Sequence, residues 1–428
     1  MEIHDETLLR ARTLVENCLQ RALPVGAIFP SDDEDWIKSG LLDSMAHVEV
    51  LSCIERAANS TDLFAGDCGA PATTIRSAVE AVHKVLPRPA EGKLEYAVER
   101  ASHGKGFAAI VGWGIALGSQ TVSIADVERK FGLALRTLKD RAGIDTVSRA
   151  SQNEDETSLA RSAAHEALRT AGISVQDLHW IIAASETFLG IPSLAASLHT
   201  SLLAPGNCQV LDVGGACVGL LNCLAVADAL VAAGHAECIL VVTADVHSRL
   251  FVPGRVAGEF GGLFGDGASA FVLRRSAEST GATPYSIFTS IGSCAGSFSS
   301  ALQIRPLADG SLSLSFDGEA LARAAVERMG IIIGDLEARS GKSRDNASAF
   351  AVHQPNPRLV DVLIRQAKLP PEKVPLVAKT RGNLGSSTCG VALSMAMDDH
   401  AKKLPTERGP IFVAAVGPGM LWAGAVLE

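Results

Sequence analysis

The sequence predicts an α/β protein with a duplicated βαβαβαββ core, preceded by a small all-α helical unit. Three observations carry this. From residue 106 onward, short apolar runs bounded by turn residues alternate with longer helix-like stretches, the rhythm of an α/β domain. The element order of residues 106–276 returns in residues 277–428, which suggests a duplication. Residues 1–88 instead show apolar residues at helical spacing.

Composition sets outer limits. At 428 residues the chain exceeds one ordinary core and suits two or three units. Its 47% apolar and 20% charged content provides ample burial. A net charge of −9 with no basic run argues against a nucleic-acid partner. Nine scattered cysteines form no C-x-x-C pair and no His/Cys ligand spacing, so no metal site is expected. Their odd number, with several in apolar runs, suits a reducing, cytoplasmic setting. The N-terminal MEIHDETLLR lacks a signal-peptide core, and the apolar stretches are too short or interrupted to span a membrane.

In the helical unit, Glu6 to Ala22 reads as a helix with Leu8, Leu9, Val15, Leu19 and the following Leu23 as core positions. Pro24 and Gly26 open a loop that turns acidic from Asp32 to Asp35. In LLDSMAHVEVLSCIERA, Asp43 suits an N-cap, Ser44 the first turn, and Met45, Val48, Leu51 and Ile54 one apolar face. ATTIRSAVEAVHKVL closes the unit before Pro87 and Pro89, and residues 89–105 read as a linker.

The α/β region starts with the strand FAAIVGWGIAL, then helix-like stretches at Ile124 to Arg141 and Leu159 to Ala171. WIIAASET is a strand, Ser193 to Leu203 a helix, and CQVLDV a strand that runs into Gly214, Gly215, Ala216 and Cys217. A small-residue helix follows, then the strand ECILVVTAD and the phrase FGDGASAFVLRR. Its Gly265-Asp266-Gly267 reads as a structural turn. The second half runs through YSIFTSIGSC, a helix from Gly318 to Ile332, SAFAVHQPN, a helix from Pro357 to Ala367, a small-residue helix from Gly385 to His400, and the strands PIFVAAVG and MLWAGAVLE.

Cys217 stands on a tight strand-to-helix turn, where helix N–H groups stabilise a thiolate or an oxyanion. Taken alone, it also reads as a buried structural cysteine. His353 and Asn383 also sit at element ends. A Cys/His/Asn set can form an acyl-thioester and use it: the thiolate attacks, the His moves a proton, and the Asn amide holds an oxyanion or enolate. Singly, His353 also reads as a core histidine and Asn383, in RGNLGSS, as a turn residue.

Several phrases in one order link the three. They are RAGI at 141–144 with Arg149, ASETFLGIPSLAA, the Cys217 stretch, LFGDGASAFVL, HQPN at 353–356, GNLGSS at 382–387 and VGPGMLWAG. On these, residues 106–428 resemble a β-ketoacyl-acyl-carrier-protein synthase III of the thiolase superfamily. The resemblance implies a five-layer αβαβα fold divided at 106–276 and 277–428, an acylated Cys217, and His353 and Asn383 activating an extender thioester. It also implies a homodimer in which the loop from Phe188 to Ile191 reaches the partner's acyl pocket, and an oxyanion loop around Gly417 and Gly419. Relatives primed by coenzyme A carry a Trp where Thr137 stands, which favours carrier-bound donors. Pro418 occupies the middle of the glycine triplet and has no N–H to give.

Residues 1–88 resemble an acyl or peptidyl carrier protein, on Asp43-Ser44-Met45 near the family's Asp-Ser-Leu. That resemblance implies a 4′-phosphopantetheine arm on Ser44; a docking domain is the other reading. The function expected is decarboxylative Claisen condensation of an acyl thioester with a malonyl-type thioester, held on carrier protein or coenzyme A, in polyketide or fatty-acid-type biosynthesis. Acyl transfer from Cys217 to a hydroxyl or amine, and a non-catalytic carrier scaffold, are the competing readings.

Overall fold

The amphipathic stretches near the N-terminus form three helices, α1 (Glu6–Ala22), α2 (Ser44–Ala57) and α3 (Ile75–Val85). The structure is a computed structural model describing residues 6–23, 27–42, 44–58, 64, 72–86, 107–276, 285–294, 301–307 and 312–428. The chain divides into two compact units, Met1–Ser102 and His103–Glu428.

In the first unit, Ala11, Val15, Cys18 and Leu19 make the buried stripe of α1, with Trp36, Ile54, Ile75 and Val82 against it. Leu8 and Leu9, expected in this core, are exposed instead: Leu9 lies on the opposite side of α1 from the stripe, and Leu8, though in line with it, stands uncovered in the first turn. The acidic loop is a clamp. Arg12 of α1 donates two hydrogen bonds to Asp32, at 2.7 and 3.0 Å, and Arg76 of α3 donates two to Asp33, at 2.6 and 3.0 Å. Asp43 and the expected linker at 89–105 lie outside the described residues, and Ser44 is the first residue of α2.

The strands of the second unit are, in chain order, β1 (Phe107–Leu117), β2 (Gln120–Ser123), β3 (Thr146–Arg149), β4 (Trp180–Ala184), β5 (Gln209–Asp212), β6 (Cys238–Val246), β7 (Asp266–Ser276), β8 (Ile287–Cys294), β9 (Leu302–Pro306), β10 (Leu312–Phe316), β11 (Ala349–Val352), β12 (Ile411–Gly417) and β13 (Leu421–Leu427). Its helices are α4 (Ile124–Phe131), α5 (Thr137–Ala142), α6 (Glu156–Ala171), α7 (Leu194–Leu202), α8 (Gly219–Ala232), the single turns α9 (His247–Leu250) and α10 (Gly258–Gly261), α11 (Gly318–Ser340), α12 (Pro357–Gln366), the single turn α13 (Ala378–Arg381), and α14 (Thr388–Ala401).

One sheet has the order β1-β7-β6-β4-β5, with β4 parallel to both β5 and β6. The other has the order β11-β12-β13-β8, with β11 parallel to β12. Side-chain alternation decides the layers. Ile181 and Ala183 bury against α6 and α7, whereas Ile182 and Ala184 face α8. Phe350, Phe412 and Ala414 bury against α11 and α12. Helices α8 and α14 lie between the inner faces of both sheets, which gives five layers, αβαβα. A helix meeting a sheet on both sides needs small residues: a Cβ on Gly390 would stand 2.0 Å from Ser269 Oγ.

Three expectations are corrected. The stretch Ile124 to Arg141 is two helices, because Gly132 caps α4 at φ 69°. Helix α11 continues past Ile332 to Ser340, its buried Ile332, Ile333 and Leu336 still facing the sheet. The second half is not a full copy of the first, since the segment preceding α13 forms no strand where β5 would be repeated. Pro375 has no N–H for a ladder. The Gln354 side chain serves this backbone instead: Nε2 donates to Pro375 O at 2.5 Å, and Oε1 accepts from the N–H groups of Val377 and Ala378 at 2.8 and 3.1 Å. Among the described residues, no helix is long and apolar enough to cross a membrane.

Candidate active site

Strand β5 stops at Asp212, and the chain must turn sharply to start α8. Gly215 at φ 143° makes the turn, and a Cβ there would lie 2.3 Å from Asn222 Nδ2. Ala216 follows at φ 46°, unusual for a residue with a side chain. Local strain of this kind is held in place by its surroundings and gathers at functional sites. The turn delivers Cys217 into a single 3₁₀ turn, Ala216–Val218, at the head of α8.

His353 leaves the end of β11, fixed by its N–H to Ala414 O at 2.9 Å. Its ring is buried, and Nδ1 has no hydrogen-bond partner. Burial pushes its pKa down to about 4, so the imidazole is neutral at ordinary pH.

Asn383 is pinned by its backbone to both sides of Phe264: its N–H donates to Leu263 O at 2.9 Å, and its carbonyl accepts from Gly265 at 2.8 Å. Its Oδ1 accepts from the Gly385 N–H and from Thr388 Oγ1, each at 3.0 Å. Those two bonds set the orientation of the amide and leave Nδ2 to donate.

Cys217, His353 and Asn383 line one cavity of about 640 Å³. Phe251, Phe260, Phe264 and Phe316 form an apolar wall, and Leu302, Ile304 and Leu312 of the β9–β10 pair extend it. The exposed Arg141 and Arg358 also border the cavity.

Gly417 adjoins the nucleophile closely. A Cβ on Gly417 would lie 3.3 Å from Cys217 Cβ and 3.4 Å from its N. Pro418 lines the cavity, and Gly419 does not: its φ of 123° shapes the β12–β13 turn. Ile191 is fully exposed and also outside the cavity of its own chain, whereas Leu189 borders it. Thr137 opens α5, and its hydroxyl donates to Ala134 O. Asp266 is structural: its carboxylate is buried and accepts from the Ala150 and Ser248 N–H groups at 2.7 and 2.9 Å. Arg149 Nη1 lies 4.0 Å from it.

Sequence reasoning missed a further acidic cluster. Glu186, Asp245 and His247 lie at or beyond the C-terminal ends of the parallel neighbours β4 and β6, and Glu186 lines the cavity. Burial, then the facing Glu186, pushes the Cys217 thiol well above its usual pKa, and its own backbone N–H opposes this. Burial also works against charge on His247, but the bond to Glu186 and the charge of Asp245 outweigh it and raise the pKa to about 8. The only signal in sequence is the acid of the ASET phrase, which nothing local connects to residues some 60 positions on.

Residues 211–290 match the 3-Oxoacyl-[acyl-carrier-protein (ACP)] synthase III family, and residues 338–428 match the synthase III C-terminal family. The chain is 29% identical over 329 residues to the Beta-ketoacyl-[acyl-carrier-protein] synthase III of Ruegeria sp. (strain TM1040), covering 75% of this chain and 98% of that protein. It is 28% identical over 329 residues to that of Methylococcus capsulatus, covering 75% and 99%. The solved 3-oxoacyl-[acyl-carrier-protein] synthase III of Aquifex aeolicus VF5 superposes with a TM-score of 0.67 at 27% identity, covering 75% of this chain and 99% of that one. The priming β-ketosynthase of the R1128 polyketide biosynthetic pathway shares the fold, with a TM-score of 0.67 at 23% identity, covering 76% and 96%. In fold and in the matched segments, the unit from His103 to Glu428 is similar to these synthase III proteins, whose thiolase-type fold it shares.

Proposed function

We propose that this acyltransferase-type enzyme performs a decarboxylative Claisen condensation through an acyl-Cys217 intermediate, in fatty-acid-type or polyketide biosynthesis. The observation that carries the reading is the single cavity holding a buried thiol, a neutral imidazole and an amide oriented to donate. In the first half, Cys217 Sγ attacks an acyl thioester and the donor thiol departs. In the second, a malonyl-type thioester loses CO₂. The resulting enolate oxygen accepts hydrogen bonds from Asn383 Nδ2 and His353, and both donors are uncharged, so no counter-ion need be desolvated. The enolate carbon attacks the acyl carbonyl, the bond to Cys217 breaks, and a β-ketoacyl thioester leaves. Incubation with an acyl thioester and a malonyl thioester tests this. A β-keto product with CO₂ release, lost in Cys217→Ala, is expected; an ester or amide without CO₂ release overturns it.

The first unit is a carrier in this reading, with 4′-phosphopantetheine on Ser44. Support comes from the Asp43-Ser44-Met45 phrase and from the place of Ser44 at the start of α2, where helix N–H groups favour phosphate. Arg141 and Arg358 beside the cavity suit a phosphate-bearing arm. A phosphopantetheinyl transferase should add the holo mass to the wild type and not to Ser44→Ala.

The enzyme is a cytoplasmic homodimer in the same reading. Edge strand β5 is exposed at all four residues, and Leu189 and Ile191, in the segment before α7, also stand out from the surface. Light scattering should give twice the chain mass.

A further inference from the structure

The His247 ring lies between two acceptors. Its Nδ1 is 3.0 Å from Gly265 O, and its Nε2 is 3.4 Å from Glu186 Oε2. A carbonyl only accepts, so Nδ1 carries hydrogen. Facing an ionised carboxylate, Nε2 carries one too, and the ring is an imidazolium holding Glu186 as its anion. The oxygens of Asp245, the neighbouring acid, are committed: Oδ1 accepts from Ser185 Oγ and the Glu186 N–H, and Oδ2 from the Ser386 N–H and Oγ. Glu186 Oε1 is different. It is buried and has no hydrogen-bond partner, its residue lines the cavity, and its carboxylate faces the Cys217 thiol. An acceptor in a buried site without a donor is costly, and a thiol proton is what this one lacks.

Cys217 needs such a group. Burial keeps the thiol protonated, so a free thiolate is scarce at neutral pH. The charged and titratable groups around Glu186 are His247, Asp245, Cys217 and His353.

We propose that Glu186 is the catalytic base that accepts the Cys217 proton during acylation. The S–H bond breaks as Glu186 Oε1 takes the proton and Sγ bonds to the acyl carbon. The carbon–sulfur bond of the donor then breaks, and the departing thiolate takes the proton from Glu186, restoring the carboxylate. His353 and Asn383 are thereby left to the extender half-reaction. The assignment rests on the acyl-Cys217 reading.

The test uses the full chain as wild type, Glu186→Gln and Glu186→Asp, with N-acetylcysteamine thioesters from acetyl to dodecanoyl as donors. Single-turnover intact mass reads acylation of Cys217, and CO₂ release from malonyl-N-acetylcysteamine reads the other half. Glu186→Gln should slow acylation by about 100-fold and decarboxylation by less than about threefold, with Glu186→Asp acylating at an intermediate rate. Acylation of Glu186→Gln within threefold of wild type overturns the assignment and leaves acyl-Cys217 standing. Equal loss of both half-reactions marks a structural role and overturns it too. If Glu186→Gln does not fold, Glu186→Asp decides: acylation slowed about tenfold with decarboxylation kept supports the base, and unchanged acylation overturns it. A wild type that none of the donors acylates overturns both readings.

Discussion

Thr388 Oγ1 donates to Asn383 Oδ1 at 3.0 Å and accepts from the Leu384 N–H at 2.8 Å. The hydroxyl thus ties the amide of Asn383 to its own loop. Thr388→Val keeps the shape and removes both bonds. A buried neutral hydrogen bond is worth about 1 kcal/mol, so CO₂ release from a malonyl thioester should fall about 5- to 10-fold. Thr388→Ser, which keeps the hydroxyl, should stay close to wild type.

His353 and His247 should titrate in opposite directions. The folded pKa of His353 is lowered to about 4, so the folded chain refuses a proton that the unfolded chain accepts near 6.5. Its contribution to stability is complete above about pH 6.5 and declines as pH falls toward 4. The folded pKa of His247 is raised to about 8, so its contribution is complete below about pH 6.5 and is lost as pH rises through 8. Histidine-selective NMR, with the two rings assigned by their loss in His353→Ala and His247→Ala, should show the His353 signal moving near pH 4 and the His247 signal near pH 8; midpoints near 6.5 for these two would contradict the burial and pairing described.

Gln354 should be worth more to stability than a surface glutamine. Gln354→Leu leaves the buried Val377 and Ala378 N–H groups without their acceptor. Denaturant unfolding should show a loss of about 2–4 kcal/mol. A loss under 0.5 kcal/mol would mean that the segment finds other partners.

Gly390→Ala should destabilise by about 1–3 kcal/mol, the cost of overpacking a tight core. Its Cβ would meet Ser269 Oγ and Cβ at 2.0 and 2.7 Å, on a strand that cannot move without disturbing the Thr243–Ser269 hydroxyl pair. Ser269→Gly in the same chain should recover part of the loss in a thermal melt.

The parts of the chain that were readable in sequence were those whose physics is local. Helix α1 has the limits its spacing predicts, and α8 and α14 betray their place between two sheets by their small residues. Cys217, His353 and Asn383 each sit in a recognisable phrase, and the cavity gathers all three. Leu8 has the right spacing but stands uncovered in the first turn of α1, which spacing does not show, whereas Leu9 falls opposite the stripe. Glu186 and His247 were invisible as a pair, 61 residues apart, until β4 and β6 set their ends side by side. The missing strand before α13 was hidden too, because a side chain 21 to 24 positions earlier takes over its hydrogen bonds.

That missing strand has a consequence at the rim of the protein. In the first sheet β4 is covered by β5, whose four residues are all exposed and whose outer edge is open. In the second sheet β11, which corresponds to β4, is itself outermost, yet all four of its residues are buried. A symmetric duplication would offer two matching margins, through which copies could string together without end. Here the halves have parted ways: of these two corresponding margins, among the described residues, only the one at β5 is exposed, so a neighbour that took it would find no equivalent at β11.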